Sequence, residues 1–127
     1  MSNLEPTPEQ LATVAARPAD APLVMVNLMK FKKPDGLASY MRYVEAVVPH
    51  LQRAGATLRY AGASPAVAIG EGERPWWDAI VIVEYPRPQA WVDMMTTPEY
   101  AEIHVHRAAG LDRGDIVATS VWEVGEI

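Results

Sequence analysis

Two segments of the chain are apolar at almost every position, which is the pattern of strands covered on both faces. Leu23–Phe31 is interrupted only by Asn27 before Lys30, and Trp76–Tyr85 is apolar at every position between Asp78 and its last two residues. A strand with one face in water alternates apolar and polar residues instead. We therefore predict two strands that are buried on both faces.

Apolar residues at a helical period follow each of these strands. From Leu37 they recur every three or four residues to Gly55, which predicts a long helix with a glycine end and a kink at Pro49. Pro88 opens a second helix to about Met95. Thr97 is a second N-cap candidate, and the helix that it begins at Pro98 is expected to end at Gly110. The second helix is therefore expected in two pieces.

The rest of the chain predicts a leading helix and two further strands. Thr7 begins a capping motif with proline at the first helical position, so a short helix is expected over 8–16. A strand is expected over 57–60, resuming at 66–70 after a Gly-Ala-Ser-Pro interruption. A last strand is expected over 115–124.

This order of elements predicts one ferredoxin-like α+β domain in 1–127, with 1–21 as N-terminal helix and connector and a core over about 22–124. The core reads βαββαβ, an antiparallel sheet with both helices on one face. Its other face would then be apolar and uncovered, which soluble monomers seldom tolerate. We therefore expect a homodimer that packs sheet on sheet, a dimeric α+β barrel.

Composition narrows the functional classes. Half of the residues are apolar and the formal net charge is −5, so the chain has no basic surface for nucleic acid or an anionic membrane. It has no cysteine, which excludes thiol chemistry and disulfides. The polar start lacks the features of a secretory signal and no segment has the length of a membrane helix, so a cytoplasmic protein is expected.

Candidate chemistry lies on one face of the last helix. At about 100° per residue, Tyr100, His104 and Arg107 point in one direction. His104 could act as acid or base, Arg107 could clamp a carboxylate or enolate, and Tyr100 could donate to the same oxygen. The structural alternative is that Tyr100 packs at the helix edge, Arg107 pairs with Asp78 or Glu84, and His104 is solvated.

Metals and cofactors are not expected. His104 and His106 point about 200° apart on a helix, so they cannot share one ion. No phosphate-binding loop or dinucleotide fingerprint is present. A haem bound through His104 is a third hypothesis, and it would need a much larger cavity.

Four further residues are candidates for substrate binding, each with a structural alternative. Asn27 is an amide among apolar neighbours that either lines a pocket or bonds within the sheet. Asp78 either orients His104 or Arg107, or it ends the sheet in a salt bridge. Trp77 and Met94 either wall an apolar cavity or pack in the core and the dimer contact.

The chain also resembles the DUF1330 family of the dimeric α+β barrel superfamily over roughly residues 22 to 120. The resemblance rests on the segments VMVNLMKF, YMRYVEAVVPHL, AGATLRYAG, WWDAIVIVEYP and PEYAEIHVHRAAGL, in this order. Its most specific parts are Asp78 ahead of Glu84-Tyr85-Pro86, and Pro98-Glu99-Tyr100 with Arg107 seven residues after the tyrosine. The resemblance implies a ferredoxin-like protomer and a dimer, but no established reaction.

Two functions follow from these observations. The first is a small-molecule-binding homodimer that acts as a cofactor-independent oxygenase or isomerase on a small hydrophobic carbonyl or phenolic compound. The second is a non-catalytic binding or structural dimer. Relatives in the wider superfamily carry out several chemistries, so the fold selects neither function.

Overall fold

The computed structural model describes residues 4–123, which form one four-stranded sheet and four helices. The order of elements agrees with the sequence prediction. No helix in this part of the chain is long and apolar enough to cross a membrane. The elements are α1 (Pro8–Ala15), β1 (Leu23–Phe31), α2 (Gly36–Ala54), β2 (Thr57–Ala63), β3 (Ala79–Tyr85), α3 (Pro88–Met95), α4 (Pro98–Gly110) and β4 (Leu111–Thr119).

The sheet is antiparallel with strand order β2-β3-β1-β4, which confirms the ferredoxin-like α+β fold. β1 is central, and its Met25 lies opposite Val83 of β3 and Ala118 of β4. Leu23, Met25 and Met29 alternate along β1 and are at most 2% exposed. These side chains face the helices, so the core lies between the helices and one face of the sheet.

The opposite face of the sheet is also apolar. Because side chains alternate along a strand, residues between the buried positions point away from the helices. Six of these are apolar, and they are half-buried except for Val117, which is half exposed. The set consists of Val24, Val26, Leu28, Ile80, Ile82 and Val117, and we call it the open face.

The helices begin and end where local chemistry predicts. The Thr7 hydroxyl accepts a hydrogen bond from the Gln10 amide, and the Gln10 side chain accepts one from the Thr7 amide. Together they form a capping box for α1. α2 ends at Gly55 in the left-handed conformation and continues through Pro49. Where α2 meets the end of α4, a Cβ on Gly110 would lie 2.6 Å from the Gly36 carbonyl oxygen, so the two backbones touch.

Two predicted strands have different bounds in the structure. The expected continuation over 66–70 is wrong, since this stretch belongs to a loop in which Gly70 and Gly72 have positive φ and the Val67 amide bonds to Glu73. Accordingly β3 starts at Ala79 rather than Trp76. The last strand starts at Leu111 and ends at Thr119. The sequence conceals its start because Asp112, Arg113 and Gly114 break the apolar pattern, and 124 lies outside the described residues.

Candidate functional site

The three candidate residues of α4 lie on its buried face. α4 begins at a Thr97 side chain that accepts from the Tyr100 amide, and the helix packs on α2. Tyr100, His104 and Arg107 are 3%, 8% and 3% exposed. The alternative of a solvated His104 therefore does not hold.

Arg107 is a buried cation whose partners are incomplete. Its Nη1 donates to the Leu4 carbonyl at 3.3 Å, while its buried Nη2 has no hydrogen-bond partner among the described residues. Within residues 4–123 it pairs with no carboxylate. The two expected partners are engaged elsewhere, because Asp78 pairs with Arg74 at 2.6 Å and Glu84 with Arg59 at 3.1 Å. Burying a charge in this way is costly unless something neutralises it.

The guanidinium of Arg107 lines a cavity of about 520 Å³. The cavity lies between the helix-facing side of β4 and the helices α1 and α3, and its walls are mostly apolar. Nη2 lies 3.1 Å from the place that a Cβ on Gly114 would occupy, so glycine there leaves room for the guanidinium. The other lining residues are Leu4, Glu5, Pro6, Gln10, Thr13, Val14, Met25, Trp91, Met95, Asp115, Ile116, Val117 and Ala118.

His104 does not line this cavity, but Glu5, which does, lies next to it. The Nε2 of His104 is 3.6 Å from Glu5 Oε1, and its buried Nδ1 has no hydrogen-bond partner in the part of the chain that the structure describes. Burial and then the charge of Arg107 lower the pKa of His104 below its ordinary 6.5, and Glu5 opposes this more weakly. The ring is therefore neutral at pH 7, a state in which it can accept a proton.

Tyr100 belongs to an aromatic cluster between α2 and α4. Its hydroxyl lies 2.8 Å from the Tyr43 hydroxyl, and its ring contacts those of His104 and His50 at centroid distances of 6.1 and 6.2 Å. Burial raises the pKa of Tyr100 and of Tyr43, so both stay protonated at neutral pH. Tyr100 does not line the Arg107 cavity.

The four residues expected to bind substrate lie away from Arg107. Asn27 donates to the carbonyls of Met25 and Val81 at 3.3 and 3.1 Å, so it bonds within the sheet. Asp78 accepts from the Phe31 amide at 3.0 Å and ends the sheet with Arg74. Trp77 is half-buried ahead of β3. None of the four lines the Arg107 cavity.

Met94, the last of the four, is buried and reaches a second, more open cleft of about 580 Å³. This cleft lies at the end of α2 beside α3 and the start of α4. His50 and Arg53 stand at its rim, 3.3 Å apart. Residues from 4 to 123 include no group of three or more side chains that could hold a metal ion.

Sequence reasoning missed the contribution of the N-terminal segment. Leu4, Glu5 and Val14 form one side of the Arg107 cavity, together with Trp91 and Met95 of α3. The sequence does contain a sign of this contact, because the apolar residues of α1 must be buried against another part of the protein. The pattern of a short helix does not say where that helix docks, and α1 packs on α3 over the edge of the sheet.

The fold and the cavity define a class of protein: a ferredoxin-like α+β domain with a small site between sheet and helices. The family described as "Domain of unknown function (DUF1330)" matches residues 24–121, and the chain belongs to this family. The resemblance stated from the sequence is thereby confirmed. No curated protein matches the chain.

Solved structures share the fold. A protein of unknown function from Rhodopseudomonas palustris is 27% identical, with a TM-score of 0.83, and the match covers 97% of this chain and 99% of that one. A dimeric protein of unknown function from Bacteroides fragilis is 14% identical, with a TM-score of 0.55 and coverage of 82% and 100%. SnoaB, a cofactor-independent oxygenase from Streptomyces nogalater, is 6% identical, with a TM-score of 0.58 and coverage of 84% and 99%.

Proposed function

We propose that the protein is a homodimer in which each protomer binds a small hydrophobic molecule through an anionic or carbonyl oxygen held by Arg107. One observation carries the binding proposal. Arg107 is 3% exposed, its Nη2 has no hydrogen-bond partner among the described residues, and it lines a cavity whose walls are mostly apolar. Arginine presents a planar fork of donors, so an oxygen ligand entering the cavity would satisfy them.

The dimer follows from the open face. Half-buried residues of β1 and β3 form its centre, with Val26 opposite Ile82 and Leu28 opposite Ile80. Uncovered apolar patches of this kind mark interaction surfaces, and a second copy of the same face is the simplest cover. The similar structure from Bacteroides fragilis is described as a dimeric protein, which supports this arrangement.

Within this proposal the protein is a cofactor-independent oxygenase or isomerase acting on a small hydrophobic carbonyl or phenolic compound. His104 would take a proton from the substrate and Arg107 would hold the oxygen on which negative charge develops. The position of His104 on the buried face of α4, one turn from the permanent cation of Arg107, favours catalysis. Tyr100 would contribute through the position of His104, since its hydroxyl is bonded to Tyr43. The alternative is a non-catalytic dimer that binds the same ligands.

A cavity-filling variant tests the binding site. Ala118 lines the cavity, so Ala118→Phe should fill part of it, whereas Ala101→Phe adds the same group at an exposed position of α4. Three probes of similar size present a carboxylate, a ketone and a phenol: 4-phenylbutyrate, 4-phenyl-2-butanone and 4-propylphenol. Binding is measured by thermal shift and by quenching of tryptophan fluorescence, to which Trp91 in the cavity wall contributes.

We expect at least one probe to bind the wild type and the Ala101→Phe variant, and binding to be lost in Ala118→Phe. Binding that survives in Ala118→Phe, or no binding of any probe to the wild type, would contradict the proposed site. Oxygen consumption and product analysis with a bound ketone or phenol then distinguish an enzyme from a binding protein. His104→Gln should abolish any turnover and retain binding.

A further inference from the structure

The segment that precedes α1 places oxygen atoms where a ligand of the cavity would place its own. The Leu4 carbonyl accepts from Arg107 Nη1 at 3.3 Å, a long hydrogen bond. The Glu5 carboxylate stands 3.6 Å from His104 Nε2. Leu4, Glu5 and Pro6 all line the cavity. We call residues 4–6 the N-terminal strap.

The charge of Arg107 restricts the kind of ligand. The guanidinium is always ionised, and its one hydrogen-bond partner in the described chain is an uncharged carbonyl. A ketone would leave that charge uncompensated, and a phenol, with an ordinary pKa of about 10, would first have to lose its proton. A carboxylate is already ionised at neutral pH and matches the guanidinium with two oxygens.

The remaining surroundings indicate a single negative charge and an apolar tail. His104 is neutral at pH 7 and therefore adds no second cation, which argues against a dianion such as a phosphate ester. Beyond the guanidinium the walls come from side chains such as Val14, Met25 and Trp91. These walls offer contact to a hydrocarbon or aryl group.

We propose that the ligand of this site is an apolar monocarboxylate, and that its carboxylate binds Arg107 by displacing the N-terminal strap. This inference rests on the proposed function and narrows the ligand of the same cavity to a carboxylate, so a carbonyl or phenolic substrate would bind here only if it also carried a carboxylate group. The strap lies at the surface beside the cavity, and the Glu5 side chain is 74% exposed. The capping box of Thr7 and Gln10 holds the start of α1 independently of the strap.

Calorimetric titration with two matched compounds tests the carboxylate. 4-Phenylbutyrate and 4-phenyl-1-butanol differ only in the oxygen group. We expect the wild type to bind the acid at least about tenfold more tightly than the alcohol, the effect of one charge-assisted hydrogen bond. Arg107→Gln should remove this preference. Arg107→Lys, which keeps the charge, should retain part of it and serves as the variant if Arg107→Gln does not fold.

The strap is tested by Glu5→Gln, with Glu9→Gln as the matched control on the exposed side of α1. If Glu5 competes with the incoming carboxylate, Glu5→Gln should tighten binding of the acid several-fold and leave binding of the alcohol unchanged. Glu9→Gln should change neither. Weaker binding of the acid in Glu5→Gln would overturn the displacement of the strap.

The outcomes separate this inference from the proposed function. Equal binding of acid and alcohol, both lost in Ala118→Phe, would overturn the monocarboxylate while leaving the cavity as a binding site. Failure of both compounds, and of the ketone and phenol, would overturn the proposed function itself. A preference for the acid that persists in Arg107→Gln would place the carboxylate elsewhere and contradict the inference.

Discussion

The hydroxyl groups of the half-buried Tyr43 on α2 and the buried Tyr100 on α4 lie 2.8 Å apart. Their rings meet edge to face with centroids 6.2 Å apart. This pair connects α2 with the first turn of α4. His104 and Arg107 are buried on the same helix, one and two turns further along α4.

Removing one of these hydroxyls should lower the free energy of unfolding by more than half of the loss caused by removing both. Tyr43→Phe leaves the Tyr100 hydroxyl buried without a partner, which costs about 1–3 kcal/mol, whereas the double variant leaves no orphan. A double-mutant cycle by urea denaturation measures the coupling, expected at roughly 1 kcal/mol. Tyr60→Phe, on an exposed tyrosine of β2, should change the free energy of unfolding by less than about 0.5 kcal/mol. Strictly additive losses would show that the hydrogen bond contributes nothing.

A methyl group at Gly110 should destabilise the fold. Its Cβ would stand 2.6 Å from the Gly36 carbonyl oxygen and 2.9 Å from the Tyr40 amide nitrogen, and backbone atoms cannot swing away as a flexible side chain can. Overpacking of this kind costs about 1–3 kcal/mol, and the better helix propensity of alanine, at most about 1 kcal/mol, offsets only part of it. Thermal and urea unfolding of Gly110→Ala measure the loss. Ala109→Ser, exposed one residue earlier, should be nearly neutral, and an equally stable Gly110→Ala would refute the close contact.

The hydrophobic pattern predicts most of this fold because burial on two faces leaves a signature in the strands themselves. Leu23–Phe31 has the predicted bounds, since nearly every position is apolar and a turn follows at Pro34. The same reasoning fails at Leu111, which is 1% exposed but is followed by polar residues and a glycine. β4 is an edge strand in the sheet order, so one side of its backbone meets no other strand and its sequence is less constrained.

The candidate site shows what periodicity can and cannot supply. Helical spacing alone places His104 and Arg107 on one face of α4. Helical spacing does not identify the partner of Arg107. Asp78, one of the two carboxylates expected to pair with it, forms a salt bridge with Arg74 of the preceding loop instead. Contacts between distant segments decide such pairings. The same is true of Leu4, whose carbonyl reaches Arg107 from the other end of the chain.

Protonation of His104 should destabilise the protein in mild acid. The pKa of His104 is lower in the folded chain than its ordinary 6.5, through burial and Arg107 and against the weaker influence of Glu5. The unfolded chain therefore takes up this proton first as the pH falls. The contribution is absent above pH 6.5 and grows as the pH falls from there toward the folded pKa. Tyr100, whose ring contacts that of His104, stays protonated throughout.

Urea denaturation between pH 7.5 and pH 5 measures this effect. His104→Gln should be less sensitive to the fall in pH than the wild type, because glutamine does not titrate. His106→Gln, two residues further along the same helix, should keep the wild-type dependence. A wild-type dependence in His104→Gln would mean that other groups account for the acid sensitivity.

A charge at the centre of the open face should dissociate the proposed dimer. Ile82 lies opposite Val26 in the sheet, and both are half-buried in the protomer. In a sheet-on-sheet dimer they become fully buried, so Ile82→Glu would place an unpaired carboxylate in an apolar interface. We expect light scattering with size exclusion to give twice the chain mass for the wild type and the chain mass for Ile82→Glu. Val105→Glu adds the same charge on the 57% exposed surface of α4 and should remain dimeric. Far-ultraviolet circular dichroism checks that Ile82→Glu is folded. A monomeric wild type, or an Ile82→Glu variant that stays dimeric, would contradict association through the open face.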